Sequence, residues 1–128
     1  MKYYIEKTLK LSFDEVVEKI KATLQTEGFG VISEIDIHKK LKEKLNVNFR
    51  KYKILGACNP AFAHEALQKE EKIGTMLPCN VIIQEKDHGE TEVAAVDPIA
   101  SMQAIENPEL TIIAKEVQKK LKNVIQKL

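Results

Sequence analysis

Tryptophan is absent, and three tyrosines with four phenylalanines make up only 5% of the 128 residues. So few aromatics leave no visible stacking platform for single-stranded nucleic acid. Arginine is almost absent too. Of the 20 basic residues one, Arg50, is an arginine and the others are lysines. Dedicated phosphate and DNA binders lean on the bidentate guanidinium fork. With a net charge of +1, no long-range field selects nucleic acid or an anionic membrane as a partner. No apolar run approaches the ~18 residues that would suggest a membrane span. Met1 to Lys10 alternates and carries charge, unlike the apolar core of a signal peptide. The only two cysteines, Cys58 and Cys79, then read as free thiols in a reducing cytoplasm. No phosphate-binding glycine loop, Gly-x-Ser-x-Gly elbow or His-Glu-x-x-His helix is present, and no cofactor is expected.

What is present is a full set of signals for a globular fold. Hydrophobic residues make up 44% of the chain and charged residues 30%, the balance of an ordinary packed domain. The length fits one domain over 1–128 that folds without a disulfide or metal. Tyr3, Ile5 and Leu9 open an alternating strand. Ser12-Phe13-Asp14-Glu15 is a capping box, followed by Phe13, Val16, Val17, Ile20 and Leu24 at helical spacing and Gly28 as terminator. Phe29 to Ile35 reads as a second strand and Asp36 to Leu45 as a short helix. Tyr52 to Ala57 reads as a third strand. Asn59 and Pro60 fit the N-cap and first position of a third helix, with Ala63, Ala66 and Leu67 on its apolar face. Cys79 to Glu85 reads as a strand buried on both faces, because Val81, Ile82 and Ile83 are consecutive. Asp87 to Glu90 turns a hairpin into Thr91 to Val96, and Pro98 to Glu106 reads as irregular or weakly helical. Asn107-Pro108 starts a last helix with an apolar stripe from Leu110 to Leu128. The order β-α-β-α-β-α-β-β-α predicts an α+β two-layer domain, a mixed β-sheet packed against helices.

Each cysteine stands in a Cys-Asn step where an apolar run meets a turn. The segments around them, Ile54-Leu55-Gly56-Ala57-Cys58-Asn59-Pro60 and Leu77-Pro78-Cys79-Asn80-Val81, carry a resemblance. With Leu24, Glu27-Gly28-Phe29, Val31 and Ala66-Leu67, they are similar to the pattern of domain of unknown function 302. The likeness runs from the first strand to about Pro98, and the last helix fits by position alone. The resemblance implies a small α+β domain that tends to be a homodimer. It implies no established activity, so it assigns no catalytic residue.

Read from the residues themselves, Cys58, Asn59, Cys79 and Asn80 are the candidate ligand-binding set. Cys58 precedes a helix start, where a thiolate meets free amides and the helix partial charge. That makes it the candidate nucleophile for redox chemistry or sulfur transfer. Free cysteine is, however, more often a packed small apolar residue. A soft-metal site would need Cys58 and Cys79 with His64, six residues on along the third helix. His38 and His88 read as surface residues. Asn59 is explained as an N-cap; Asn80 is odd at the opening of a strand. Asp97-Pro98 could complete a pocket beside these segments. The expectation is a non-enzymatic small-ligand-binding or interaction module with its site at these two segments. A thiol-based enzyme using Cys58, a soft-metal binder and a purely structural dimer module stand as alternatives, and whether the chain is an enzyme stays open.

Overall fold

The computed structural model describes residues 2–128. Five strands form one sheet: β1 (Tyr4–Leu9), β2 (Gly30–Asp36), β3 (Tyr52–Cys58), β4 (Cys79–Glu85) and β5 (Thr91–Val96). Their spatial order is β1-β5-β4-β3-β2. The helices are α1 (Phe13–Thr26), α2 (Ile37–Leu45), α3 (Pro60–Lys69), the four-residue α4 (Pro98–Ser101) and α5 (Pro108–Lys127). The α+β two-layer architecture is the one expected, and Pro98 to Ser101, within the segment read as irregular or weakly helical, is a single helical turn. The pairing differs from the expected mixed sheet: every neighbouring pair of strands is antiparallel. The β1-α1-β2 stretch looks like a parallel unit in sequence. In space α1 carries the chain from one edge of the sheet to the other, so β1 and β2 never pair.

Capping chemistry starts α1 and α5 where expected. Ser12 Oγ accepts from the Glu15 amide at 3.3 Å and donates to the Glu15 carboxylate at 3.0 Å. Asn107 Oδ1 accepts from the Glu109 amide at 3.1 Å with Pro108 in the first turn. The buried stripe of α1 and that of α5 pack together over one sheet face, and that layer is the core. The sheet contributes Leu55, Ala57, Val81, Ile83, Val93 and Ala95, all at most 1% exposed.

Alternation along β4 settles which side each residue faces. Cys79, Val81 and Ile83 are buried, whereas Asn80 is exposed and Ile82 half-buried on the opposite face. The expectation that β4 is buried on both faces is corrected accordingly, because helices cover only one side. His38 is another correction. It is half-buried, its Nδ1 3.0 Å from the Tyr52 amide nitrogen, and its ring meets Phe13 edge-on. His88 is an exposed turn residue with φ of 59°.

Candidate functional site

A cavity of about 330 Å³ opens between α3, α5 and the ends of β3 and β4. Its wall includes Phe29, Phe62, Leu77, Pro78, Ile113 and Val117, with Met102 at one side. Alanines explain why it is not filled. Ala63 and Ala66 on α3 and Ala114 on α5 present methyl groups where longer side chains would close the space. The sequence carried that signal in the small residues of α3's apolar face. It carried none for the joining of Phe29, Met102 and Ile113, which lie far apart in the chain.

The four candidate binding residues are divided by the sheet. Cys58, Asn59 and Cys79 line the cavity. Asn80 lies on the far face, in a groove with Tyr4, Tyr52 and Gln84. This split follows from the period-two alternation of β4, which sends residues 79 and 80 opposite ways. His64 is exposed on α3 and does not line the cavity, so it does not join the two thiols. Among the described residues no group of three or more His, Cys, Asp or Glu side chains is placed to hold a metal ion. Asp97 is occupied elsewhere: it accepts from the Ile99 amide at 3.0 Å and from Gln118 Nε2 at 3.0 Å.

Cys58 is the last residue of β3 and half-buried; Cys79 opens β4 and is 7% exposed. Both are free. Ala57 and Cys79 are register partners, which answers whether the two cysteines are near: they sit one residue off a direct cross-strand pair. Burial, and then the charge of Cys58, push the Cys79 thiol up to about 11. Cys79 is therefore a neutral thiol at physiological pH.

Asn59 corrects the sequence reading. It occupies the N-cap position of α3, but its side chain makes no cap hydrogen bond. Its amide instead donates to the Glu27 carbonyl at 3.3 Å, at the end of α1. The first-turn amides of α3 are consequently left without a side-chain acceptor beside Cys58. The Leu77–Pro78 peptide bond, on the cavity wall, is cis.

Fold and cavity together define a small two-layer α+β domain with one helix-covered sheet face. The chain belongs to the family described as domain of unknown function DUF302, whose model matches residues 5–128. A crystal structure of an uncharacterized conserved DUF302 protein from Bacillus stearothermophilus is similar to it throughout. The TM-score is 0.91 at 26% identity, with 98% of each chain covered. No curated protein matches the chain.

Proposed function

We propose that this chain is a non-enzymatic binding domain that holds a small, largely apolar ligand in the cavity between α3 and α5. The observation that carries this is the cavity itself: about 330 Å³ of unfilled space walled almost wholly by carbon. Ligand pockets of a few hundred Å³ are typically apolar with a few placed polar groups. Here those groups are the Cys58 thiol and the Asn59 carboxamide. The neutral state of Cys79 suits an uncharged ligand, because an apolar molecule seated against it covers no charged group that would have to lose its water. The test is binding of the neutral fluorophore N-phenyl-1-naphthylamine. Wild type enhances its fluorescence saturably, and Ala63→Phe, which fills the cavity, weakens binding about tenfold or more. Leu67→Glu at the rim does the same without touching the core. Equal binding by both variants would overturn the reading.

The partner we propose is a second copy of the chain, seated on the open face of the sheet. The solvent side of an antiparallel sheet is normally polar. Here Ala94, Ile82, Ile54 and Ile35 are successive cross-strand partners, forming an apolar stripe across four strands. Strands ~4.8 Å apart with a rise of ~3.4 Å per residue give this face a planar footprint of roughly 500 Å². Side-chain relief brings that toward the ~800 Å² per partner of a stable interface. Two free thiols, one of them half-buried, support a reducing compartment such as the cytoplasm.

A further inference from the structure

We infer that Cys58 and Cys79 form a reversible intrachain disulfide across β3 and β4, made by a hydroperoxide in the wall of the cavity. The inference does not rest on ligand binding there. Ala57 and Cys79 are direct partners in the antiparallel β3–β4 pair. One residue along, at ~4.8 Å strand spacing and ~3.4 Å rise, the Cα atoms of Cys58 and Cys79 fall roughly 6 Å apart. Disulfides span Cα separations of about 4.4–6.8 Å. Within a continuing strand the two side chains would leave opposite faces. Cys58 still pairs with Gly30 of β2, but it is the last residue of β3, and the cavity at that end of the sheet is lined by both cysteines.

The two thiols are unequal in a way that sets the order of events. Cys58 is half-buried, while Cys79 is 7% exposed. A peroxide arriving from solvent therefore meets Cys58 first, and the buried Cys79 only afterwards. Cys58 is thus the attacking sulfur and Cys79 the resolving one. The Cys58 thiolate attacks one peroxide oxygen, the O–O bond breaks, and the other oxygen leaves as water after taking a proton. Cys58 is then a sulfenic acid. The Cys79 sulfur attacks the Cys58 sulfur, the S–O bond breaks, and the hydroxyl leaves as a second water with the Cys79 proton. Two thiols have lost two electrons and two protons, and one hydrogen peroxide has become two waters. A dithiol reductant reverses the change by exchange.

The experiment is titration of the native chain with hydrogen peroxide, followed by alkylation and peptide mapping. The expected product has lost two hydrogens, joins the Cys58 and Cys79 peptides, and returns to the dithiol with dithiothreitol. In Cys79→Ser the sulfenic acid on Cys58 persists and is trapped by dimedone. In Cys58→Ser the oxidation of Cys79 slows about tenfold or more, since a buried thiol is poorly reactive. Two thiols still open to alkylation, or a bridge between two chains as the main product, would overturn the inference. So would oxidation of Cys79 in Cys58→Ser at the wild-type rate.

Discussion

The Asn59 side-chain amide donates to the Glu27 carbonyl oxygen at 3.3 Å, tying the start of α3 to the end of α1 across 32 residues of sequence. Gly28 is part of the same joint. It has φ of +84°, and a Cβ there would stand 3.1 Å from Asn59 Nδ2. Gly28→Ala therefore meets both left-handed backbone strain, about 1–2 kcal/mol, and a contact with the amide. Asn59→Ala loses one hydrogen bond to a carbonyl, about 1 kcal/mol. Chemical denaturation of the two single variants and the double variant checks this. Combining them costs less than the sum, because removing the amide relieves the contact. Strict additivity would show that Gly28 and Asn59 are not coupled.

Gly56 poses a different steric problem. Its backbone is ordinary, but a Cβ would clash with Ser33 Oγ and stand 2.7 Å from Pro78 Cγ. Gly56 is the strand partner of both Ser33 and Asn80, so β2, β3 and the residue before β4 close around it. Gly56→Ala is expected to destabilise by about 1–3 kcal/mol through overpacking. Ser33→Ala in the same chain restores part of that loss, since the nearest atom is then gone. Thermal melts of the two variants distinguish the outcomes, and no recovery would place the strain at Pro78 instead.

Local structure was legible in the sequence because its causes are local. Ser12 and Asn107 bond to amides two or three residues away, so their caps are visible in a short window. Asn59 has the same residue type in the same position, yet a carbonyl 32 residues distant takes its amide. No window would show that. Strand order is hidden for the same reason: whether β5 lies between β1 and β4 depends on where α1 and α5 pack, not on any one segment. The separation of Asn80 from Cys79 was available from alternation alone. It was obscured because Ile82, on the open face, looks as apolar as its buried neighbours Val81 and Ile83. The cavity draws on residues from elements far apart in the chain. Its alanines and the segments holding Cys58, Asn59 and Cys79 were visible in the sequence, whereas their meeting with Phe29, Met102 and Ile113 was not.

Cys79 gives the chain a distinctive alkaline response. Its thiol is pushed from the ordinary 9.0 up to about 11 by burial and by Cys58. The protonated thiol is the form the fold favours, so its contribution is fully present below the unfolded pKa. As pH rises past about 9 the unfolded chain ionises there while the folded chain does not, and stability falls until the folded thiol titrates near 11. The span corresponds to roughly 2–3 kcal/mol. Lysines and tyrosines titrate in the same range, so the readout is the difference between wild type and Cys79→Ala. Urea midpoints between pH 8 and 11 are expected to fall more steeply for wild type. Parallel curves would show that Cys79 ionises in the folded chain as easily as in the unfolded one.

The isoleucine stripe on the open face makes the assembly state measurable. Ile54 and Ile82 are half-buried partners at its centre, and Ile35, their neighbour on β2, is 43% exposed. In a two-fold pair each position occurs twice, so one substitution removes two isoleucines from the contact. At roughly 1.5 kcal/mol for the part of each side chain still to be covered, Ile82→Lys weakens pairing by about 3 kcal/mol, or more than 100-fold in dissociation constant. The folded monomer loses little, because this face already meets water when unpaired. Sedimentation of wild type at micromolar concentration is expected to show a dimer, and Ile82→Lys a monomer with a nearly unchanged melting temperature. A wild type that sediments as a monomer would remove the second copy as the occupant of this face. A dimer that survives both Ile82→Lys and Ile54→Lys would put the interface elsewhere, with the exposed Leu45, Val47 and Phe49 next to be tested.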